Sequence, residues 1–162
     1  FSDALRDDAK RLLQSYREAG RRLATVESCT GGLIAGLLTE IAGSSDVVER
    51  GFVTYSNEAK SEMVGVPAEL IAHHGAVSAE VAEAMAAGAL ARSPADVAVA
   101  VTGIAGPGGA TPDKPVGLVY FGLAVRGDSV CSERQVFPGD RSGVRLASVT
   151  RALALLASAE AR

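Results

Sequence analysis

Residues that commonly bind metals or form disulfides are scarce in this sequence of 162 residues. Its two cysteines, Cys29 and Cys131, lie 102 positions apart and form no CxxC pair. Its two histidines, His73 and His74, are adjacent and would point in opposite directions on an extended segment. We therefore expect free thiols in a reducing compartment, no metal site and no cofactor.

Large aromatic residues and long apolar runs are also lacking. There is no tryptophan and only 4% of residues are aromatic, so the core must be built mainly from Ala, Val and Leu. No apolar run approaches the roughly 20 residues of a membrane helix, and the charged opening FSDALRDDAKRLL has no apolar centre of the kind found in signal peptides. With 48% apolar residues, the sequence predicts a single cytoplasmic domain over residues 1–162 that has no membrane partner.

An excess of positive charge is absent as well. Sixteen Lys and Arg residues stand against 19 Asp and Glu, which gives a net charge of −3. Proteins that bind nucleic acid through its phosphates need a basic surface. We expect no direct nucleic-acid partner, and any phosphate contact must be local.

Helical and extended patterns alternate over the first two-thirds of the chain. The sequence predicts helices at 5–16, 33–41, 58–64 and 78–92, a helical turn from Pro67, and strands at 22–26, 51–55 and 96–102. Two further strands at 116–125 and 129–137 form a hairpin around Gly127, and a helix at 141–159 follows. This order indicates an α/β fold, with a mixed sheet covered by helices on both faces.

Two loops rich in small residues, 27–32 and 102–109, follow predicted strands. In open α/β sheets the ligand crevice lies beyond the carboxyl ends of parallel strands. If the two strands are parallel neighbours, these loops face one another across that crevice.

The first loop, ESCTGG, precedes a helix and contains candidate nucleophiles. Unpaired amides at a helix start bind phosphates or stabilise an oxyanion, so Ser28 there is either a nucleophile or a helix cap. Cys29 is a rival nucleophile, because a helix start lowers the pKa of a thiol. The loop matches neither a Walker A motif, nor GxGxxG, nor GxSxG.

A serine nucleophile here needs a base other than histidine, and the segment TYSNEAK offers Lys60. If Asn57 caps the next helix, Lys60 lies in its first turn, where the macrodipole lowers the pKa of an amine. With Tyr55 it could move the Ser28 proton. The alternative is an exposed Lys60 paired with an acidic neighbour or with solvent.

Three further residues carry polar groups near these loops. The Thr102 hydroxyl and the amides of the 103–109 loop could bind a polar substrate group, or could only serve a tight turn. Arg141 and Arg145 lie one helical turn apart and could clamp a phosphate, or could form a solvated face.

Taken together, the stretches ESCTGG, VTYSNEAK, GAVS, VTGIAGPGG and KPVG resemble, in order and approximate spacing, the signatures of the C-terminal domain of the CinA (competence/damage-inducible) family. That family includes the nicotinamide-nucleotide amidases of the PncC type. The resemblance implies a three-layer α/β/α sandwich. It also implies hydrolysis of the carboxamide of nicotinamide mononucleotide to nicotinate mononucleotide and ammonia, without a metal.

The resemblance also implies roles for individual residues. Ser28 would be the nucleophile, and Tyr55, Lys60 and Thr102 would surround it. The implied substrate-binding residues are Thr30, Gly31 and Gly32 for the oxyanion, Ser45 or its neighbour Ser44, and Gly106, Gly108, Gly109, Arg141 and Arg145 for the phosphate. A non-catalytic nucleotide-binding or protein-interaction module of the same family is the alternative function, and another carboxamide is an alternative substrate. The sequence leaves open whether the chain forms a homo-oligomer.

Overall fold

The computed structural model describes residues 1–160 as alternating helices and strands. The helices are α1 (Asp3–Glu18), α2 (Leu33–Glu40), α3 (Asn57–Val64), α4 (Ala68–His74), α5 (Ala79–Ala91) and α6 (Arg141–Glu160), and Ser44–Asp46 forms a 3-10 turn. The strands are β1 (Leu23–Glu27), β2 (Val48–Val53), β3 (Val97–Gly103), β4 (Leu118–Val125) and β5 (Cys131–Val136).

The five strands form one sheet in the order β2-β1-β3-β4-β5. β1 lies between β2 and β3 and pairs in parallel with both. β4 is antiparallel to both β3 and β5, so four of the five strands run in one direction and only β4 opposes them. The predicted mixed, mostly parallel sheet with a β4–β5 hairpin is therefore confirmed.

Helices cover both faces of the sheet. The apolar residues of α1, α2 and α6 share one core cluster with Leu23, Val97, Val99 and Phe121. Those of α3, α4 and α5 form a second cluster on the other face with Ala24, Ala98, Ala100 and Ala124. This arrangement confirms the three-layer α/β/α sandwich.

The two faces of β3 differ in side-chain size, because valine and alanine alternate along a strand of period two. The valines pack against α6 and its neighbours, and the alanines face α5. On that side of β4, Gly122 lies so close to α5 that a Cβ atom would come within 2.1 Å of the Ala82 carbonyl oxygen. Small residues therefore allow α5 to pack close to the sheet.

The predicted strand 51–55 is displaced from the observed β2, which spans Val48–Val53. β2 is an edge strand, and its first half contains the charged residues Glu49 and Arg50. Because strands were predicted from apolar residues, this half of β2 was not recognised in the sequence. The Thr54 N–H donates to Glu27 O at 2.9 Å, and there the pairing with β1 stops. Thr54 and Tyr55 consequently lie beyond the strand, at the carboxyl edge of the sheet.

Close packing of α5 against α3 leads to a stability prediction. A Cβ atom on Gly88 would lie 1.8 Å from the carbonyl oxygen of Val64, the last residue of α3. We expect Gly88→Ala to lower the free energy of unfolding by about 2–3 kcal/mol, because overpacking forces backbone to move. Denaturant unfolding measures the change.

Gly36→Ala is the matched control, because Gly36 is also helical but a Cβ there would meet no atom within 4 Å. That change should leave stability the same or raise it by up to about 1 kcal/mol. Equal effects of the two substitutions would contradict the close packing of α3 on α5.

Within residues 1–160, none of the helices combines the length and the apolarity that a membrane crossing requires.

Candidate active site

The two small-residue loops lie side by side, as the sequence predicted for parallel neighbours. β1 and β3 pair in register, with Glu27 opposite Val101. The Ser28 N–H donates to Val101 O at 2.9 Å, which continues the pairing by one residue beyond β1. A turn over residues 28–32 then leads into α2, and the second loop leaves β3 after Gly103, so Thr102 is still part of the strand.

Ser28 and Lys60 are in direct contact. The Ser56 hydroxyl caps α3 by accepting from the Ala59 N–H at 3.0 Å, and Lys60 lies one turn into the helix. The Lys60 side chain points back to the sheet edge, where Nζ lies 3.1 Å from Ser28 Oγ and 3.1 Å from Thr54 O. Lys60 is only 1% exposed. The predicted pair of a serine and a lysine is thus brought together, although Ser56 and not Asn57 is the cap.

The buried amine of Lys60 has no carboxylate partner in the part of the chain that the structure describes. Among residues 1–160 no ion pair involves Lys60. Burial lowers the pKa of Lys60 below its ordinary value, and the weaker opposing influences are Cys29 and then Glu58. We expected the helix dipole to lower this pKa, but the main cause is loss of solvent. A lowered pKa increases the fraction of neutral amine, which is the form that can accept a proton.

Cys29 is a poor rival nucleophile in this environment. Its thiol is buried, and burial raises its pKa to about 11, with the positive charge of Arg145 opposing this. A thiol with that pKa stays protonated near neutral pH, whereas the reactive form is the thiolate.

Tyr55 lies at the rim and does not stand between Lys60 and Ser28. Its side chain is 62% exposed. Its hydroxyl accepts from Arg141 Nη2 at 3.3 Å, and Lys60 Nζ reaches only its backbone oxygen, at 3.4 Å. Lys60 Nζ therefore contacts Ser28 Oγ directly and not through the Tyr55 hydroxyl.

Thr102 is buried, and its hydroxyl donates to Ala76 O at 2.8 Å. It thereby fixes the segment 75–78, the GAVS stretch of the sequence, against the end of β3. Ser78 Oγ donates to Gly75 O at 2.8 Å within the same segment.

These groups line one cavity of about 260 Å³. Its lining residues are Ser28, Cys29, Tyr55, Asn57, Lys60, Ala76, Val77, Thr102, Gly103, Ala105 and Arg141. The sequence analysis did not assign Asn57, Ala76 or Val77 to the site. Asn57 could have been found from its place in TYSNEAK, but nothing in the sequence marked the two apolar residues.

The amides of the 28–32 turn are only partly available. Gly31, one of the predicted oxyanion donors, already donates its N–H to Ser28 O at 3.0 Å. The N–H groups of Cys29, Thr30 and Gly32 donate to no acceptor within residues 1–160. The Thr30 hydroxyl is buried and likewise has no hydrogen-bond partner in that part of the chain.

Arg145 and Arg141 have different surroundings, although they lie one turn apart on α6. Arg145 Nε donates to Cys29 O at 3.1 Å and Nη2 to Thr30 O at 3.3 Å, so this guanidinium holds the turn that carries Ser28. Arg141 lines the cavity and donates from Nη1 to Gly106 O at 2.8 Å. Of the predicted phosphate clamp, only Arg141 faces the cavity.

Several other predicted substrate-binding residues lie away from the cavity. Ser45 is in the 3-10 turn before β2, at the amino end of the parallel strands, whereas Ser28 is at their carboxyl end. Gly108 and Gly109 are exposed, and Gly106 contributes its carbonyl to Arg141. Within this chain, Ser45 therefore lies at the opposite edge of the sheet from Ser28, because α2 carries the chain back across the sheet.

No group of three or more His, Cys, Asp or Glu side chains within residues 1–160 is placed to hold a metal ion. His73 and His74 form the last two residues of α4.

A sequence model of the family described as CinA C-terminal domain matches residues 6–159. The chain belongs to this family. It is 59% identical over 138 residues to a CinA-like protein of Mycolicibacterium gilvum, which covers 85% of this chain and 33% of the relative. It is 54% identical over 147 residues to a putative competence-damage inducible protein of Symbiobacterium thermophilum, which covers 86% of this chain and 34% of the relative. The chain thus spans about a third of the length of the curated relatives it matches.

Solved structures of the CinA family share the fold along nearly the whole chain. The competence/damage inducible protein CihA of Agrobacterium tumefaciens superposes with a TM-score of 0.95 at 49% identity, covering 98% of this chain and 97% of that one. The competence damage-inducible protein A of Klebsiella pneumoniae superposes with a TM-score of 0.93 at 37% identity, covering 98% of each chain.

Proposed function

We propose that this CinA domain is an amidase that hydrolyses the carboxamide of nicotinamide mononucleotide to nicotinate mononucleotide and ammonia. The observation that carries the proposal is the buried Lys60 Nζ, which forms no ion pair within residues 1–160 and lies 3.1 Å from Ser28 Oγ. A buried lysine of lowered pKa next to a serine hydroxyl is the arrangement that activates a nucleophile without histidine.

In the first half of the reaction, neutral Lys60 accepts the proton of Ser28 as Oγ forms a bond to the amide carbon. The negative charge that develops on the amide oxygen needs hydrogen-bond donors that are already in place. The N–H groups of Cys29 and Thr30, directly after the nucleophile, donate to no backbone acceptor within residues 1–160 and are the candidates. Lys60 then gives its proton to the amide nitrogen, the C–N bond breaks, and ammonia leaves an acyl ester on Ser28.

In the second half, water attacks the acyl ester and Lys60 accepts its proton. The ester bond breaks, nicotinate mononucleotide leaves, and the proton returns to Ser28 Oγ. The same amine therefore serves as base and acid in both halves, as microscopic reversibility favours.

Two features support a nucleotide as the substrate. The cavity around Ser28 adjoins a second cavity of about 470 Å³ through Ala105 and Arg141. We propose that the carboxamide ring occupies the first cavity and that the ribose phosphate extends over Arg141 into the second. A guanidinium suits a phosphate because its donors match the oxygens in pairs.

The experiment is ammonia release from nicotinamide mononucleotide by the purified chain, with and without chelator. We expect release that the chelator does not change, and much slower release from free nicotinamide, which has no phosphate for Arg141. Loss of release with chelator would contradict the serine–lysine mechanism. No release from folded protein that binds the nucleotide would favour the non-catalytic module, and faster release from another carboxamide would change the substrate.

A further inference from the structure

Glu27, the last residue of β1, directly precedes Ser28 and is completely buried. Its carboxylate accepts two backbone hydrogen bonds from the first turn of α2. Oε1 accepts from the Ile34 N–H at 2.9 Å, and Oε2 accepts from the Ala35 N–H at 3.1 Å. No cation within residues 1–160 forms an ion pair with it.

This is a different kind of cap from those of the other helices. α1, α3 and α5 are each capped by the serine that precedes them, Ser2, Ser56 and Ser78. The N-cap of α2 is Gly32, which has φ 102° and no side chain to accept a hydrogen bond. The capping group comes instead from five residues earlier, so one carboxylate joins the end of β1 to the start of α2.

The Glu27 carboxylate affects the turn over residues 28–32, which joins the end of β1 to the start of α2. Because Glu27 lies at one end of this turn and its hydrogen-bond partners lie at the other, the carboxylate fixes both ends. Lys60 reaches the turn from α3, which packs on the opposite face of the sheet from α2. The 3.1 Å contact between Ser28 Oγ and Lys60 Nζ therefore depends on how accurately the turn is held.

We propose that Glu27 is a positioning residue, which sets Ser28 Oγ against Lys60 Nζ by tying the first turn of α2 to the end of β1. This inference rests on the proposed amidase function. It also explains why the first-turn amides of α2 do not bind the oxyanion, since an internal carboxylate already occupies those of Ile34 and Ala35.

Glu27→Gln is the informative variant. Glutamine has the same length, but one of its two terminal groups is an NH₂ donor. That NH₂ would face the N–H of Ile34 or Ala35, so one of the two hydrogen bonds would be replaced by a contact between two donors. The start of α2 must then shift, and Ser28 shifts with it. A misplacement of about 1 Å near reacting groups lowers the rate roughly 100-fold, so we expect kcat to fall by about 10- to 100-fold. We expect KM to change by less than about threefold, because Glu27 does not touch the substrate.

The experiment measures kcat and KM for nicotinamide mononucleotide in the wild type, Glu27→Gln and Ser2→Ala. Ser2→Ala removes the cap of α1, which accepts from the Leu5 N–H, and so controls for loss of a helix cap away from the site. A second readout is independent of the substrate: the rate at which a sulfonyl fluoride labels Ser28, followed by mass spectrometry. In that reaction Ser28 Oγ bonds to sulfur, fluoride leaves, and Lys60 takes the proton.

A fall of both kcat and labelling rate in Glu27→Gln, with neither changed in Ser2→Ala, supports the inference. If Glu27→Gln loses only thermal stability, as Ser2→Ala does, the inference is overturned. If Glu27→Gln does not fold, Glu27→Asp, which draws the carboxylate back by one methylene, should show the same loss of kcat, and an unchanged kcat there overturns the inference.

A wild type that labels at Ser28 but releases no ammonia overturns the proposed function. In that case the labelling rates of the wild type and Glu27→Gln alone test the positioning role of Glu27. A wild type that neither labels nor hydrolyses overturns both.

Discussion

Replacement of Ser28 by alanine is expected to lower kcat for nicotinamide mononucleotide by at least about 10³-fold, because no acyl ester can form without the hydroxyl. That loss corresponds to about 4 kcal/mol of transition-state stabilisation. The fold should persist, since Ser28 is held through its backbone N–H to Val101 O and not through its side chain alone. Ammonia release and nucleotide affinity, measured on the same preparation, test both parts.

Cys29→Ala is the matched control for Ser28→Ala. It removes the neighbouring side chain of similar size, whose thiol has a pKa raised to about 11 by burial. We expect its kcat to stay within about tenfold of the wild type, because it leaves both Ser28 and Lys60 in place. A Ser28→Ala protein that still turns over, together with an inactive Cys29→Ala protein, would move the nucleophile to the thiol.

Replacement of Lys60 by methionine is expected to lower kcat by about 10³-fold and to abolish the pH dependence that the amine imposes. In the wild type, kcat/KM should rise with pH as Lys60 loses its proton, and burial shifts this rise below the pH at which an ordinary lysine titrates. Methionine has a similar length and no proton to exchange. The residual kcat/KM of Lys60→Met should therefore not rise with pH in this range. Lys10→Met, an exposed lysine on α1, is the control and should keep the wild-type profile.

Lys60→Met should lower kcat but raise the free energy of unfolding at neutral pH. In the folded protein the Lys60 pKa is lower than in the unfolded chain, so between these two values the unfolded chain binds more protons. The free energy of unfolding of the wild type therefore rises as pH increases from the folded-state pKa of Lys60 to its unfolded-state pKa. Below the folded-state pKa, the wild type is least stable relative to Lys60→Met. Lys60→Met should be more stable than the wild type at neutral pH, and the difference should shrink toward alkaline pH. A Lys60→Met protein that is inactive and less stable at every pH would make Lys60 a structural residue.

The sequence was sufficient for the order of the elements and for the pairing of the two loops. Small residues after two buried strands predicted a crevice, and parallel pairing of β1 and β3 brought Ser28 beside Thr102. The approach of Lys60 was also predictable, because TYSNEAK follows directly after a strand and contains a helix start. These features depend on local patterns and on general rules for α/β sheets.

Features that depend on tertiary packing were not predictable in this way. Arg145 donates to the carbonyls of the Ser28 turn, and this contact depends on where α6 packs. Ser45 follows α2 in sequence but lies at the other edge of the sheet. The role of Glu27 was hidden because its partners are backbone amides, although a carboxylate ending an apolar strand must find donors when it is buried.

The first and last helices of the described chain pack against each other, and this has a consequence for biosynthesis. The Tyr16 hydroxyl donates to Leu156 O across 140 positions, and the apolar side of α1 lies in the same cluster as α6. At a synthesis rate of about 5–20 residues per second, Leu156 is synthesised roughly 7–28 s after Tyr16. During that interval its apolar side stays open to chaperones, proteases and other nascent chains. Arg145 is translated more than 100 residues after Ser28, so the turn that carries Ser28 gains its guanidinium support only once α6 has been made.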